Sequence, residues 1–268
     1  MNIESIAQSL LAAHDAASLT ALPSSHDTAF DMAAAFAVAD RLRTLRVARG
    51  EAPLGYKIGF TNRSIWQRYG VHAPIWGPVW DSTVRQLDGA SAKVSLAGLS
   101  QPRLEPEVVF GFASCPRAGM GLADLHACLA WVAHGFEVVH THFEGWRFTA
   151  ADTVADFALH GRLIVGPKVP TSSWPSMADD LAALRVTLSR DGQAVDSGAG
   201  AIVLDGPLNA LRLWVDAMAL HTPAWRIAPG DMVTTGTITD AWPLLPGQTW
   251  TTALSDARLT PLTLSTEA

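Results

Sequence analysis

The sequence predicts an α+β fold in which a small helical N-terminal part, residues 1–90, precedes a mixed and mainly β body, residues 91–268. Three observations carry this expectation. Apolar residues recur at three- and four-residue intervals through the first fifty positions. From about Ala92 onward, short runs rich in Val, Ile, Phe and Thr take over, bounded by Gly, Pro and Asp. Asp191-Gly192 separates two such runs, a pairing that favours a two-residue hairpin turn.

Taken in order, Ile3, Ile6, Ala7, Leu10 and Leu11 mark one face of an opening amphipathic helix, which Leu22-Pro23 breaks. Ser24, Ser25 or Asp27 can cap a second helix carrying Ala35, Val38, Leu42 and Leu45 on one face. Arg41, Arg43, Arg46 and Arg49 load its later turns, where the helix dipole favours cations, and read as a solvated face. Gly55-Tyr56-Lys57-Ile58-Gly59 reads as a short strand, Thr61 to Tyr69 as a short helix and Gly70 to Pro78 as a loop walling a pocket. Arg103 to Phe112 and Phe136 to His142 read as strands, with a helix from Leu122 to Ala133 between them on the spacing of Leu125, Cys128, Leu129 and Val132. Gly161 to Pro167, Met232 to Thr235 and Trp250 to Leu254 are further strands, and Pro207 opens a helix ending near Leu220.

Composition narrows the function. A formal net charge of −6 leaves no basic field for nucleic acid. No apolar run approaches the length that spans a membrane, and Met1-Asn2-Ile3-Glu4 lacks the basic start of a signal peptide, so a cytoplasmic protein is expected. Cys115 and Cys128 form neither a disulfide framework nor a Cys/His metal motif. Only 16% of residues are charged and ten are Trp, which points to surface buried between copies of the chain, a homo-oligomer. Gly-x-Ser-x-Gly and His-Glu-x-x-His are absent, and Gly198-Ala199-Gly200 follows a hairpin rather than opening a βαβ unit, so it reads as close backbone packing.

The chemistry concentrates in Leu104-Glu105-Pro106-Glu107-Val108 and Phe136-Glu137-Val138-Val139. Residues two apart on a strand share a face, so Glu105 and Glu107 lie together, and Glu137 is a third acid in an apolar strand. Two readings follow from the residues: a solvated acidic face, or oxygen ligation of a hard divalent cation.

Several segments together resemble the fumarylacetoacetate hydrolase superfamily, in particular its branch of 2-oxo-4-pentenoate hydratases and 4-oxalocrotonate decarboxylases. They are Gly55-Tyr56-Lys57-Ile58-Gly59-Phe60-Thr61, Leu104 to Val108, Phe136 to Val139, Asp152-Thr153-Val154-Ala155-Asp156, Ser197 to Gly200, and Thr235-Gly236-Thr237 before Pro243 and Gly247, in that order over nearly the whole chain. The resemblance implies the superfamily's C-terminal-type β body and a cation, Mg²⁺ or Mn²⁺, held by Glu105, Glu107 and Glu137. It implies that Lys57 and Asp156 act in catalysis and that Thr237 binds the substrate carboxylate. The expected activity is a metal-dependent lyase on a small 2-oxo or 2-hydroxydienoic acid, a hydratase first. The alternatives are a decarboxylase, an acylpyruvate C–C hydrolase, or a non-catalytic partner in a hydratase–decarboxylase pair. Three positions depart from the pattern: Ile75 and His72 stand where hydratases carry acids, and Phe157 where Asn is common.

Overall fold

The computed structural model of the protein describes residues 2–268. The first fifty residues form three helices: α1 (Ile3–Asp15), α2 (Pro23–His26) and α3 (Met32–Ala48). They are followed by β1 (Pro53–Gly59), α4 (Trp66–Tyr69), β2 (Ile75–Trp80), β3 (Val84–Gln86), β4 (Ser91–Ser95) and β5 (Arg103–Phe112). Next come α5 (Leu122–Ala127), β6 (Leu129–Val139), α6 (Ala150–Ala155), β7 (His160–Val165), β8 (Val169–Pro170) and α7 (Met177–Ala183). The chain closes with β9 (Arg185–Arg190), β10 (Gln193–Ala199), α8 (Pro207–His221), β11 (Met232–Thr234), β12 (Trp242–Pro243), β13 (Thr249–Leu254) and β14 (Thr263–Glu267).

A nine-stranded sheet runs β2-β1-β11-β5-β6-β7-β3, with β12 on β5 and β8 on β6; a five-stranded sheet runs β10-β9-β13-β14-β4. The large sheet crosses the boundary expected at residue 90, since β1 pairs with β11 and β3 with β7. Two apolar layers hold the parts together. Leu104, Phe136, Val138 and Ile164 pack against Leu188, Trp250 and Leu264 of the small sheet. On the other side Val108, Phe110 and Val132 join one core with Leu10, Val38, Leu42 and Trp214 of the helices. The 191–192 turn has positive φ at both residues, 52° and 82°, as the tight hairpin requires.

Four local expectations are corrected. The helix of 122–133 stops at Ala127, and β6 takes over at Leu129. β6 is buried on both faces, so its continuous apolar run mimics helical spacing. The loop of 70–78 contains β2, fully buried; Pro78 is tolerated because β2 is an edge strand. The cap of α3 is Asp31, whose side chain accepts from Ala34 N at 2.9 Å. Arg46 is not solvated: it is 3% exposed, paired with Glu51 at 2.5 Å and set over the Trp80 ring at 4.6 Å. The glycine reading of 198–200 holds, because a Cβ on Gly198 would meet Ile238 O at 1.8 Å and one on Gly200 would meet Leu181 O at 1.8 Å.

Helix α1 meets the segment after β6 through His14. His14 packs on Phe157 (4.7 Å between ring centroids) and meets His140 and His142 edge-on at 5.6 and 5.7 Å. Asp156 Oδ1 accepts from Nδ1 of His142 at 2.5 Å, and its Oδ2 accepts from Thr141 Oγ1 and His142 N. Ser100 N donates to Nδ1 of His140 at 3.3 Å, which in the neutral ring places the proton on Nε2. Among the described residues, Nδ1 of His14, Nε2 of His140 and Nε2 of His142 are buried without a hydrogen-bond partner, and one nitrogen of each ring lies within 4.8 Å of the others. Burial, together with the nearby Arg46 charge, pushes His14 down to about 4, and burial pushes His140 well below its usual value. Both groups then take up protons more readily in the unfolded chain. Stability is full above the unfolded value near 6.5 and is lost as pH falls toward the folded value of about 4. Denaturant midpoints measured from pH 7 to pH 4 should fall less steeply for His14→Phe than for the wild type; parallel profiles would remove His14 from the acid response.

Candidate metal centre and adjoining cavity

Four central strands bring the charged groups together. Glu105 and Glu107 alternate onto one face of β5, and Glu105 stands directly opposite Glu137 in the β5–β6 register. Like charges in direct cross-strand opposition repel, and here Glu107 and Glu137 have no solvent exposure. One oxygen of each of the three carboxylates lies within 4.8 Å of the others. Glycines make room for this crowding: opposite Glu107 stands Gly135, where a Cβ would come within 2.8 Å of Ile164 O.

Each acid is held by specific partners. Thr234 Oγ1 donates to Glu107 Oε2, and Gly236 N donates to the same oxygen at 2.7 Å. Gly236 has φ +101°, and a Cβ there would meet Thr61 Oγ1 at 1.8 Å, so only glycine brings this N–H to the carboxylate. His160 Nδ1 donates to Glu137 Oε1 at 2.8 Å, and its Nε2 lies 2.8 Å from Thr83 Oγ1, which fixes the ring. Lys57, in β1 and 2% exposed, places Nζ 3.1 Å from Glu137 Oε2.

The electrostatics follow from this packing. Burial pushes Glu105 up to about 7, with Lys57 opposing and Glu137 reinforcing the shift. Burial and the other two acids raise Glu107 well above the usual carboxylate range. Burial also acts against ionised Glu137, but Lys57 and His160 outweigh it and hold the group below its ordinary value. Burial draws Lys57 down, and the three carboxylates, Glu137 first, raise it more strongly. Glu107 Oε1 is buried without a hydrogen-bond donor, and Glu137 Oε2 meets Lys57 Nζ. Three converging carboxylates, an all-oxygen set with one oxygen bare, fit a hard divalent cation of the Mg²⁺, Mn²⁺ or Ca²⁺ kind.

A cavity opens from this centre. Lys57, Glu105, Thr237, Arg103 and Trp146 line it, with Phe60, Ile75 and Leu159 among its apolar residues. Thr237 Oγ1 donates to Thr239 O at 2.9 Å. Asp156 is not among the lining residues; its oxygens are engaged by Thr141 and His142, as described above. Ile75 presents an apolar wall, His72 is exposed, and Phe157 packs on His14. Arg103, Trp146, His160 and Thr234 are absent from the sequence reading. Arg103 alone had a local signal, since it continues the alternation of Glu105 and Glu107.

No protein-family model matches the chain. The chain is 32% identical to 2-hydroxyhexa-2,4-dienoate hydratase of Comamonas testosteroni over 79% of its own length and 77% of that protein. It is 32% identical to 2-keto-4-pentenoate hydratase of Paraburkholderia phymatum, covering 78% and 76%, and 31% identical to a 4-oxalocrotonate decarboxylase of a Pseudomonas species, covering 80% and 78%. Among solved structures, 4-oxalocrotonate decarboxylase from Pseudomonas putida superimposes with a TM-score of 0.89 at 25% identity, covering 98% of this chain and 97% of that one. Fumarylpyruvate hydrolase from Pseudomonas aeruginosa shares the fold at a TM-score of 0.57 and 15% identity, covering 79% and 88%.

Glu107→Gln removes one charge from the acid cluster while keeping the shape that accepts from Gly236 N. Calorimetric titration with Mg²⁺ and with Mn²⁺ should show one site in the wild type and at least tenfold weaker binding in the variant, with folding retained. Unchanged binding would remove Glu107 from the ligand set.

Proposed function

Because the chain belongs to the family of 2-keto-4-pentenoate hydratases and 4-oxalocrotonate decarboxylases within the fumarylacetoacetate hydrolase superfamily, we propose that it is a metal-dependent lyase that hydrates a small 2-hydroxydienoic acid, the dienol form of a 2-oxo acid. The observation that supports this reading most strongly is the trio Glu105, Glu107 and Glu137, the last two fully buried, with Lys57 paired to Glu137 and lining a cavity beside Glu105. The cation is Mg²⁺ or Mn²⁺, in keeping with the magnesium bound by the decarboxylase of Pseudomonas putida and the Mn²⁺ bound by the fumarylpyruvate hydrolase. When bound, it supplies Lewis-acid stabilisation of the negative charge that develops on the substrate's oxygens.

The protein's own groups divide the remaining work. The three carboxylates hold the cation, and Gly236 N with Thr234 Oγ1 keep Glu107 in place. Lys57, oriented by Glu137, offers a proton or a charge-assisted hydrogen bond to the substrate's 2-oxygen or carboxylate. Thr237 stands at the cavity wall for the carboxylate. Phe60, Ile75 and Leu159 keep the cavity apolar, which strengthens these interactions. In hydration the dienol's hydroxyl proton leaves, the far end of the diene gains a proton, and water adds across the double bond that results. Asp156 acts through His142 and Thr141 rather than on substrate. The same reading takes the substrate as a free small acid and the enzyme as a cytoplasmic homo-oligomer, which the low charge content supports.

A second reading, decarboxylation, is favoured by one feature. Ile75 puts a methyl-bearing wall where an acid would help to activate water, and breaking a bond to carbon dioxide requires no water. The decarboxylase of Pseudomonas putida, solved with magnesium and adipate, matches over nearly all of the chain.

Lys57→Met keeps the stem and removes the charge and the proton. Assayed with Mg²⁺ present, it should retain cation binding and lose about 10²–10⁴-fold in turnover, the range for a general acid–base group. The assay follows loss of 2-hydroxypenta-2,4-dienoate absorbance beside carbon dioxide release from 4-oxalocrotonate. Near wild-type turnover on whichever substrate reacts would exclude Lys57 from the chemistry, and activity of the wild type on neither would exclude the proposed reaction.

A further inference from the structure

We propose that His14, His140 and His142 form a second metal site, chemically distinct from the acid cluster, which takes a divalent ion of the Zn²⁺ kind and ties helix α1 to the segment after β6.

The three rings come from two places in the chain. His14 stands in the last turn of α1, and His140 and His142 follow directly after β6. Their ring centroids are 5.6, 5.7 and 4.7 Å apart. A tetrahedral ion held at about 2.1 Å by one nitrogen of each ring sets the centroids about 5.2 Å apart. The ring planes are inclined to one another by 74°, 71° and 72°, so the rings stand like propeller blades rather than in a stack. One nitrogen of each ring lies within 4.8 Å of the others. Tetrahedral ligation brings such nitrogens to about 3.4 Å, an inward movement of less than about 1 Å for each.

The polar atoms inside the trio are unanswered. Among the described residues, Nδ1 of His14 and Nε2 of both His140 and His142 are buried with no hydrogen-bond partner. His140 is 1% exposed and His142 is not exposed at all. An unpaired buried polar atom costs free energy, and three of them around one small volume point to a shared ligand. Water is the competing occupant, and the experiment below separates the two.

The second layer of contacts favours an ion. Asp156 Oδ1 accepts from His142 Nδ1 at 2.5 Å, which fixes the ring proton there and leaves a lone pair on Nε2. A carboxylate behind the outer nitrogen is the usual support of a ligating histidine. Asp156 is itself held by Thr141 Oγ1 at 2.9 Å and His142 N at 3.0 Å. His140 ligates once its proton passes from Nε2 to Nδ1. The Ser100 N contact to that Nδ1, long at 3.3 Å, then opens. Arg46 and Arg162 lie near enough to oppose a cation, but Arg46 is answered by Glu51 at 2.5 Å. Three imidazoles with no carboxylate among the ligands select Zn²⁺-like ions over Mg²⁺, and solvent completes the fourth position.

Ligation here braces the cavity from behind. Val139 and Leu159 line the cavity, and His140 N donates to Leu159 O at 2.9 Å. Leu159 ends a run, Phe157 to Leu159, whose φ angles are 55°, 52° and 65°, a left-handed conformation that side chains disfavour. Asp156 O accepts from Leu159 N at 2.8 Å and closes that turn. A metal on His140 and His142 therefore stiffens both ends of the strained run.

Co²⁺ is the probe, titrated into Mg²⁺-saturated protein. The wild type should develop the intense visible bands of four-coordinate cobalt at one equivalent, and Zn²⁺ should bleach them. Cobalt at the acid cluster is six-coordinate through oxygen and only weakly coloured, so it does not imitate the signal. His14→Phe should bind Co²⁺ at least tenfold more weakly by these bands and still bind Mg²⁺. Zn²⁺ should raise the melting temperature of the Mg²⁺-saturated wild type and leave that of His14→Phe unchanged. Anomalous diffraction at the zinc edge, from wild-type crystals grown in Mg²⁺ and soaked in Zn²⁺, needs no variant. It should show a peak within about 2.1 Å of one nitrogen from each ring. Absence of the intense bands, bands of equal strength in His14→Phe, or zinc at the acid cluster with none at the trio would overturn the site. Each of those results leaves the acid cluster and the proposed function standing.

Discussion

The structure depends on the direct opposition of Glu105 and Glu137 across two central strands, with Glu107 one alternation further along. Strand pairing over β5 and β6 fixes these acids within the sheet, and the apolar layers above and below exclude the water that would otherwise screen them. One lysine answers three carboxylates. His160 donates a hydrogen bond to Glu137, but burial keeps that ring below its ordinary pKa, so it adds orientation more than charge. Burial and their neighbours raise Glu105 and Glu107, so ionising both calls for further positive charge. A divalent cation supplies it, and Glu107 Oε1, buried without a donor, gives it a ligand atom.

Much of the surrounding architecture serves this arrangement. β11 runs beside β1 and β5, so the turn after it brings Thr234, Gly236 and Thr237 to the acids and the cavity at once. Thr83, in the turn before β3, holds His160 from behind. The helices cover the face of the sheet behind Val108 and Phe110, and the histidine contacts of α1 tie that cover to the segment after β6. Apolar cover over the centre keeps its local dielectric low, which strengthens ion pairing and raises the cost of any unmatched charge.

What was legible in the sequence was local. Glu-x-Glu in a strand, Phe-Glu-Val-Val and a lysine between two glycines identified the acids and Lys57, because strand alternation needs only neighbours in sequence. The groups that complete the site come from strand register, which one sequence does not display: Thr234 lies 127 residues from Glu107, and His160 lies 77 residues from Thr83. Misread elements have a common cause. β6 and β2 are buried on both faces, so they lack the alternation that marks a half-exposed strand, and the start of β6 carries helical spacing. Asp156 lies in a segment that resembles a site motif, yet the turn after β6 folds over it and its carboxylate holds His142 instead. Helical spacing groups Arg46 with solvated arginines and does not reveal the Trp80 ring and Glu51 that enclose it.

Mn²⁺ anomalous diffraction from crystals of the protein tests the central claim most directly, because it locates the cation without reference to activity. The account predicts one strong peak among Glu105, Glu107 and Glu137, within about 2.2 Å of an oxygen from each, with Lys57 Nζ outside the coordination sphere. A peak elsewhere, or none at this cluster in crystals that contain bound Mn²⁺, would contradict it.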